Sequence, residues 1–104
     1  MDRSRRVSLE SFERVLILND RVIDISTQLY FYEQFLSPQG QIRLSALKES
    51  LVAAKRCLRP FLRTAACREF PNTRHWIHCL DFRIRGSCKR AAEIEERYKA
   101  MTAQ

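Results

Sequence analysis

Leu9-Glu10-Ser11-Phe12-Glu13-Arg14-Val15-Leu16-Ile17-Leu18-Asn19-Asp20-Arg21-Val22-Ile23-Asp24-Ile25-Ser26-Thr27-Gln28-Leu29-Tyr30-Phe31-Tyr32-Glu33-Gln34-Phe35-Leu36 is the stretch that decides the fold. Within it Val15, Leu18, Val22, Ile25, Leu29, Tyr32 and Leu36 recur at alternating spacings of three and four, which places them on one stripe of an α-helix. Leu9, Phe12, Leu16, Ile23 and Tyr30 form a second stripe beside it, interrupted by Asn19 and Ser26. Two adjacent apolar stripes make a face wider than one partner helix covers. The helix therefore needs at least two neighbours, and the rest of the chain has to supply them.

It supplies two. Leu44, Leu47, Leu51, Ala54, Leu58, Phe61 and Ala65 repeat the three-four spacing, as do Ile77, Leu80, Ile84, Ser87, Ala91, Ile94, Tyr98 and Met101. Ser37-Pro38-Gln39-Gly40 separates the first segment from the second: Pro38 disfavours helix at Ser37, and Gly40 permits a sharp reversal. Phe70-Pro71-Asn72-Thr73 separates the second from the third, with Asn72 or Thr73 available as a cap. Pro60 falls inside the second stripe, which keeps its phase across it, so a bent helix continuing to about Arg68 is expected rather than a stop and restart. Gly86 weakens the middle of the third helix by about 1 kcal/mol relative to Ala and would let another helix approach. Glu93 with Arg97 and Glu95 with Lys99 are spaced as i,i+4 ion pairs.

Three segments of about 25 residues, each about 38 Å long as helix, joined by short loops, predict an all-α, antiparallel three-helix bundle of up-down-up topology with its second helix bent at Pro60. Residues 1–7 read as a disordered basic arm, residues 8–101 as a single helical domain and residues 102–104 as a frayed tail. A chain of 104 residues can bury a core without disulfides or metal. Two glycines and three prolines are too few for the turns of a β protein of this size.

No run of about 18 apolar residues is present, so no membrane contact is expected. Glu10, Glu13, Asp20 and Asp24 interrupt any signal core, and a cytoplasmic protein is expected. Cys57, Cys67, Cys79 and Cys88 show no C-x-x-C spacing and read as reduced thiols, with a Cys67–Cys79 disulfide as the alternative.

The net charge of +7 is unevenly spread: residues 7–37 sum to −3, residues 38–70 to +5 and residues 71–104 to +3. Lys55, Arg56, Arg59 and Arg63 fall in the same half of an antiparallel bundle as Arg83, Arg85, Lys89 and Arg90. Together they could offer a patch to phosphates or an acidic partner, and otherwise they are a solvated face. No helix-turn-helix, zinc-finger or aromatic RNA-binding motif accompanies them.

Leu16, Ile17, Ile23, Tyr30, Phe31 and Phe35 are more apolar surface than a bundle of this size readily covers. Either residues such as Phe70 and Trp76 pack over them, or they form an exposed patch for protein contact. A homodimer through the first helix would close such a patch, since a two-fold axis lets one stripe meet itself.

His75, His78 and Cys79, with Cys67 nearby in sequence, include two metal-ligand types at i,i+4, but their spacing matches no zinc module. A Cys–His nucleophile pair would lack a third orienting group and a glycine-rich oxyanion turn. No nucleotide-binding loop fits two glycines. No cofactor, no metal and no catalytic residue is expected. The functional expectation is a non-enzymatic adaptor, chaperone-like or regulatory protein whose partner is itself or another protein; nucleic acid is the alternative partner.

Overall fold

The computed structural model describes the backbone of residues 2–61 and 73–103, and the side chains of residues 13–59 and 74–103. Among the described residues three helices make up the bundle: α1 (Asp2–Tyr30), α2 (Pro38–Phe61) and α3 (Thr73–Thr102), with a 3-10 turn at Tyr32–Phe35 between the first two. Cross-helix contacts fix their directions. Arg83 of α3 reaches Asn19 of α1, and Arg90 reaches Leu29 O, so α1 and α3 run parallel. Arg43 of α2 reaches Gln28 of α1, and the short hairpin turns α2 antiparallel to both. The rod measures 63 × 20 × 18 Å, with a radius of gyration of 16.7 Å. A compact globule of this length would have a radius near 13 Å.

The core follows the three predicted stripes. Val15, Val22, Ile25 and Leu29 of α1 meet Leu44, Leu51, Ala54 and Leu58 of α2 and Ile77, Leu80, Ile84, Ala91 and Ile94 of α3. Leu18, Tyr32, Leu36 and Leu47 pack against its margin. Lys48 Nζ and Glu95 Oε2 lie 2.7 Å apart and tie α2 to α3; as a half-exposed pair this contributes about 0.2–1 kcal/mol.

Four local expectations are corrected. First, α1 ends at Tyr30 and not at Leu36. Its last carbonyls find partners outside the helix: Phe31 N and Gln34 Nε2 donate to Gln28 O at 3.2 and 2.8 Å, and Arg90 Nε donates to Leu29 O at 3.4 Å. On a continued helix Phe35 would fall seven residues after Gln28, on a side turned from the core. The 3-10 turn instead buries it completely, at 0% exposure. Burying a phenylalanine stabilises by about 1.5–3 kcal/mol, which offsets the helical hydrogen bonds given up.

Second, the turn before α2 is not a glycine reversal. Ser37 caps the helix, its Oγ accepting from Gly40 N at 2.9 Å, and Pro38 takes the first helical position, where its missing N–H costs nothing. Gly40 lies inside the helix and is buried. It is needed for close approach: a Cβ there would stand 2.5 Å from Gln34 O and 2.6 Å from Phe35 Cα.

Third, α1 begins at Asp2, so residues 2–7 are helical where a disordered arm is expected. No Gly or Pro interrupts them, and adding residues to an existing helix needs no new nucleus. Fourth, the i,i+4 pairs near the end of α3 are replaced. Glu95 is drawn to Lys48 across the bundle, while Lys99 approaches Glu96 at 3.6 Å and Glu93 approaches Arg90 at 3.9 Å.

α2 runs through Pro60 to Phe61, so the helix does not stop ahead of the proline. The expected continuation to about Arg68 lies outside the described residues.

Candidate functional site

Exposed apolar side chains stand on all three helices, Ile42 and Val52 on α2 and Trp76, Phe82 and Met101 on α3 among them, and the group on and just after α1 is the one the sequence singles out. Tyr30 is 73% exposed, Ile17 and Phe31 are each 62% exposed, and Ile23 is 41% exposed. Leu16 is half-buried. Phe35, expected among them, belongs to the core for the reason given above. Tyr30 and Phe31 meet edge to face with their ring centroids 5.4 Å apart. Trp76, which together with Phe70 is the alternative cover for these residues, is itself 47% exposed, and Phe70 lies outside the described residues. Leu16, Ile23 and Tyr30 share one line with Asn19, whose Oδ1 accepts from Arg83 Nη1 at 2.9 Å. That line therefore runs along the α3 side of α1. Ile17 does not join it, being six residues from Ile23 and so on another side of the helix.

The basic residues are divided by the structure rather than gathered. Lys55 is half-buried, and Arg56 and Arg59 are exposed on α2. Arg83 and Arg90 turn toward α1 and bond to Asn19 and Leu29. Arg85 Nε pairs with Asp81 at 3.0 Å on α3 itself. Lys89 is exposed, and Arg63 lies outside the described residues. The seven that are described therefore do not face one way.

Arg90 and Arg97 show an arrangement that the sequence reading misses. Their guanidinium carbons stand 5.4 and 4.4 Å from the centroid of the Tyr32 ring, pinning the 3-10 turn to α3. At a half-exposed site each such contact contributes about 0.5–1 kcal/mol. The seven-residue spacing of Arg83, Arg90 and Arg97 is the signal that could have found it. Tyr32, Arg90, Glu93, Ile94 and Arg97 line a shallow cavity of about 250 Å³. That is below the roughly 300–1,000 Å³ of ordinary small-molecule pockets.

His75 Nε2 and Cys79 Sγ lie 3.6 Å apart, and both residues are exposed. His78 is exposed too, and among the described residues no group of three His, Cys, Asp or Glu side chains converges as a metal site would require. Cys67, and with it the Cys67–Cys79 disulfide alternative, lies outside the described residues. Among the described residues Cys57, Cys79 and Cys88 form no disulfide. Among the described residues no helix is long and apolar enough to cross a membrane.

Comparison of the chain with protein-family models, with curated proteins and with solved structures found no match.

Proposed function

We propose that this chain is a non-enzymatic helical protein that works by protein–protein contact, as an adaptor, chaperone-like or regulatory protein, and that it pairs with a second copy through α1. The observation that carries this reading is that Ile23 and Tyr30 of α1, and Phe31 just after it, are exposed while Val15, Val22, Ile25 and Leu29 of the same helix are buried in the core. Isolated apolar residues on a surface need no explanation, whereas a contiguous strip of them is the signature of a contact surface. A second copy is the simplest occupant, because a two-fold axis supplies the same strip from the partner. We assign the protein to the cytoplasm, a reading supported by Cys57, Cys79 and Cys88 forming no disulfide among the described residues.

The test is the double variant Ile23→Asp, Phe31→Asp, studied beside the wild type by sedimentation velocity from low to high micromolar concentration. Both positions are exposed, so folding stability should change by no more than about 0.5 kcal/mol per site. The expected result is concentration-dependent association of the wild type that the variant lacks. Association of equal strength in both would overturn α1 as the contact surface.

A further inference from the structure

Leu16, Ile23 and Tyr30 recur every seven residues on the side of α1 that faces α3, and α3 covers them only in part. The strip they form has two differently charged edges. On the outer edge stand Glu13 and Asp20, seven residues apart and both exposed. On the α3 edge stand Arg83 and Arg90, again seven apart, each leaning toward α1 through its bond to Asn19 or Leu29. Among the described residues Glu13, Asp20 and Arg83 form no ion pair within the chain. Arg83 uses one nitrogen on Asn19, and among the described residues its other donors have no partner.

A surface with acid along one edge and base along the other is complementary to itself in only one sense. If a two-fold axis runs along the strip, parallel to the rods, each acidic edge meets the basic edge of the other copy at the same level. If the axis crosses the rods, acid meets acid and base meets base, which is unfavourable. The Asn19–Arg83 bond sets Asp20 and Arg83 at one level.

We propose that a second copy of this chain docks on the α1–α3 face, side by side and parallel, with the two-fold axis along Leu16, Ile23 and Tyr30 and Asp20 of each copy against Arg83 of the other. The inference rests on the self-association proposed above and adds its direction. From residue 16 to residue 30 the strip is about 21 Å long. That is too little apolar surface alone for the roughly 800 Å² per partner of a stable interface, so the charged edges take part in it. The net charge of +7 on each chain opposes pairing at a distance. At 0.15 M salt the Debye length is about 8 Å, which screens that repulsion more than it weakens groups in contact.

The experiment is sedimentation equilibrium of the full chain at 0.15 M salt for the wild type, Asp20→Arg, Arg83→Asp and the double variant, with circular dichroism to confirm folding. Each single exchange is expected to weaken the dimer at least tenfold, and the double exchange to restore it to within a few-fold of wild type. A second readout needs no charge change. Tyr30→Cys is oxidised mildly, and the linked peptides are mapped by mass spectrometry, so the native cysteines stay in place. In the parallel dimer position 30 links to position 30 of the other copy. A dimer whose double variant stays weak, or whose Tyr30→Cys form gives no 30–30 link, overturns the parallel arrangement while leaving self-association standing. A single chain at every concentration overturns both.

Discussion

Replacing Gly40 by alanine should destabilise the protein, although the residue sits inside a helix, where alanine is ordinarily the better choice. A Cβ at this position would stand 2.5 Å from Gln34 O, 2.6 Å from Phe35 Cα and 2.7 Å from Phe35 C. Ordinary carbon contacts lie at about 3.5–4.0 Å, so the turn and the start of α2 would have to part by roughly 1 Å. The obstructing atoms are all backbone and cannot rotate away. They belong to the segment that seats the buried Phe35 ring and accepts the 2.8 Å bond from Gln41 Nε2 at Phe35 O. Overpacking costs about 1–3 kcal/mol, and the rigidity here puts it at or above the top of that range. The propensity gain of about 1 kcal/mol offsets part of it, leaving a net loss of about 2 kcal/mol. For a domain of this size that lowers Tm by roughly 10 °C. Thermal melts followed by circular dichroism at fixed protein concentration measure it. A variant as stable as wild type, or more stable, would refute the close approach.

The same substitution at Gly86 should act in the opposite direction, because a Cβ there meets nothing within 4 Å; urea melts should show a gain of about 0.4–1 kcal/mol, and a loss would mean that this side of α3 is covered. Leu29→Asp places a carboxylate at a core position that is 1% exposed, and a loss of about 4 kcal/mol or more is expected in urea denaturation; an unchanged midpoint would remove Leu29 from the core. Ser37→Ala removes the hydroxyl that accepts from Gly40 N and should cost about 1 kcal/mol, with Ser37→Asp restoring most of it; equal loss in both would show that the cap is not the reason.

The bundle was legible because its information is periodic. Val22, Leu51 and Ile84, for example, stand at core positions of their stripes and are fully buried, so the three-four spacing alone identifies them. What escaped is set by distances between elements rather than along them. Phe35 reads as surplus on a continuous helix, and only the early stop at Tyr30 carries it inward. Gly40 and Gly86 look alike in sequence as glycines within or beside a helix, yet one touches the backbone of a neighbouring turn and the other faces open space. The pairing of Glu95 with Lys48 across the bundle, in place of Lys99 on its own helix, depends on a helix register that no local spacing encodes. The apolar surface at the end of α1 is half legible: Ile23, Tyr30 and the following Phe31 are exposed, but the two charged edges that give the strip a direction follow only from Asn19 facing Arg83.

Small-angle scattering of the full chain at high micromolar concentration tests most directly whether the leftover side of α1 is closed by a second rod alongside the first. The expected forward scattering corresponds to twice the 12.3 kDa chain, with a maximum dimension only modestly greater than the 63 Å long axis of one rod. Scattering of a single chain, or of two chains with a maximum dimension near double that length, would contradict it.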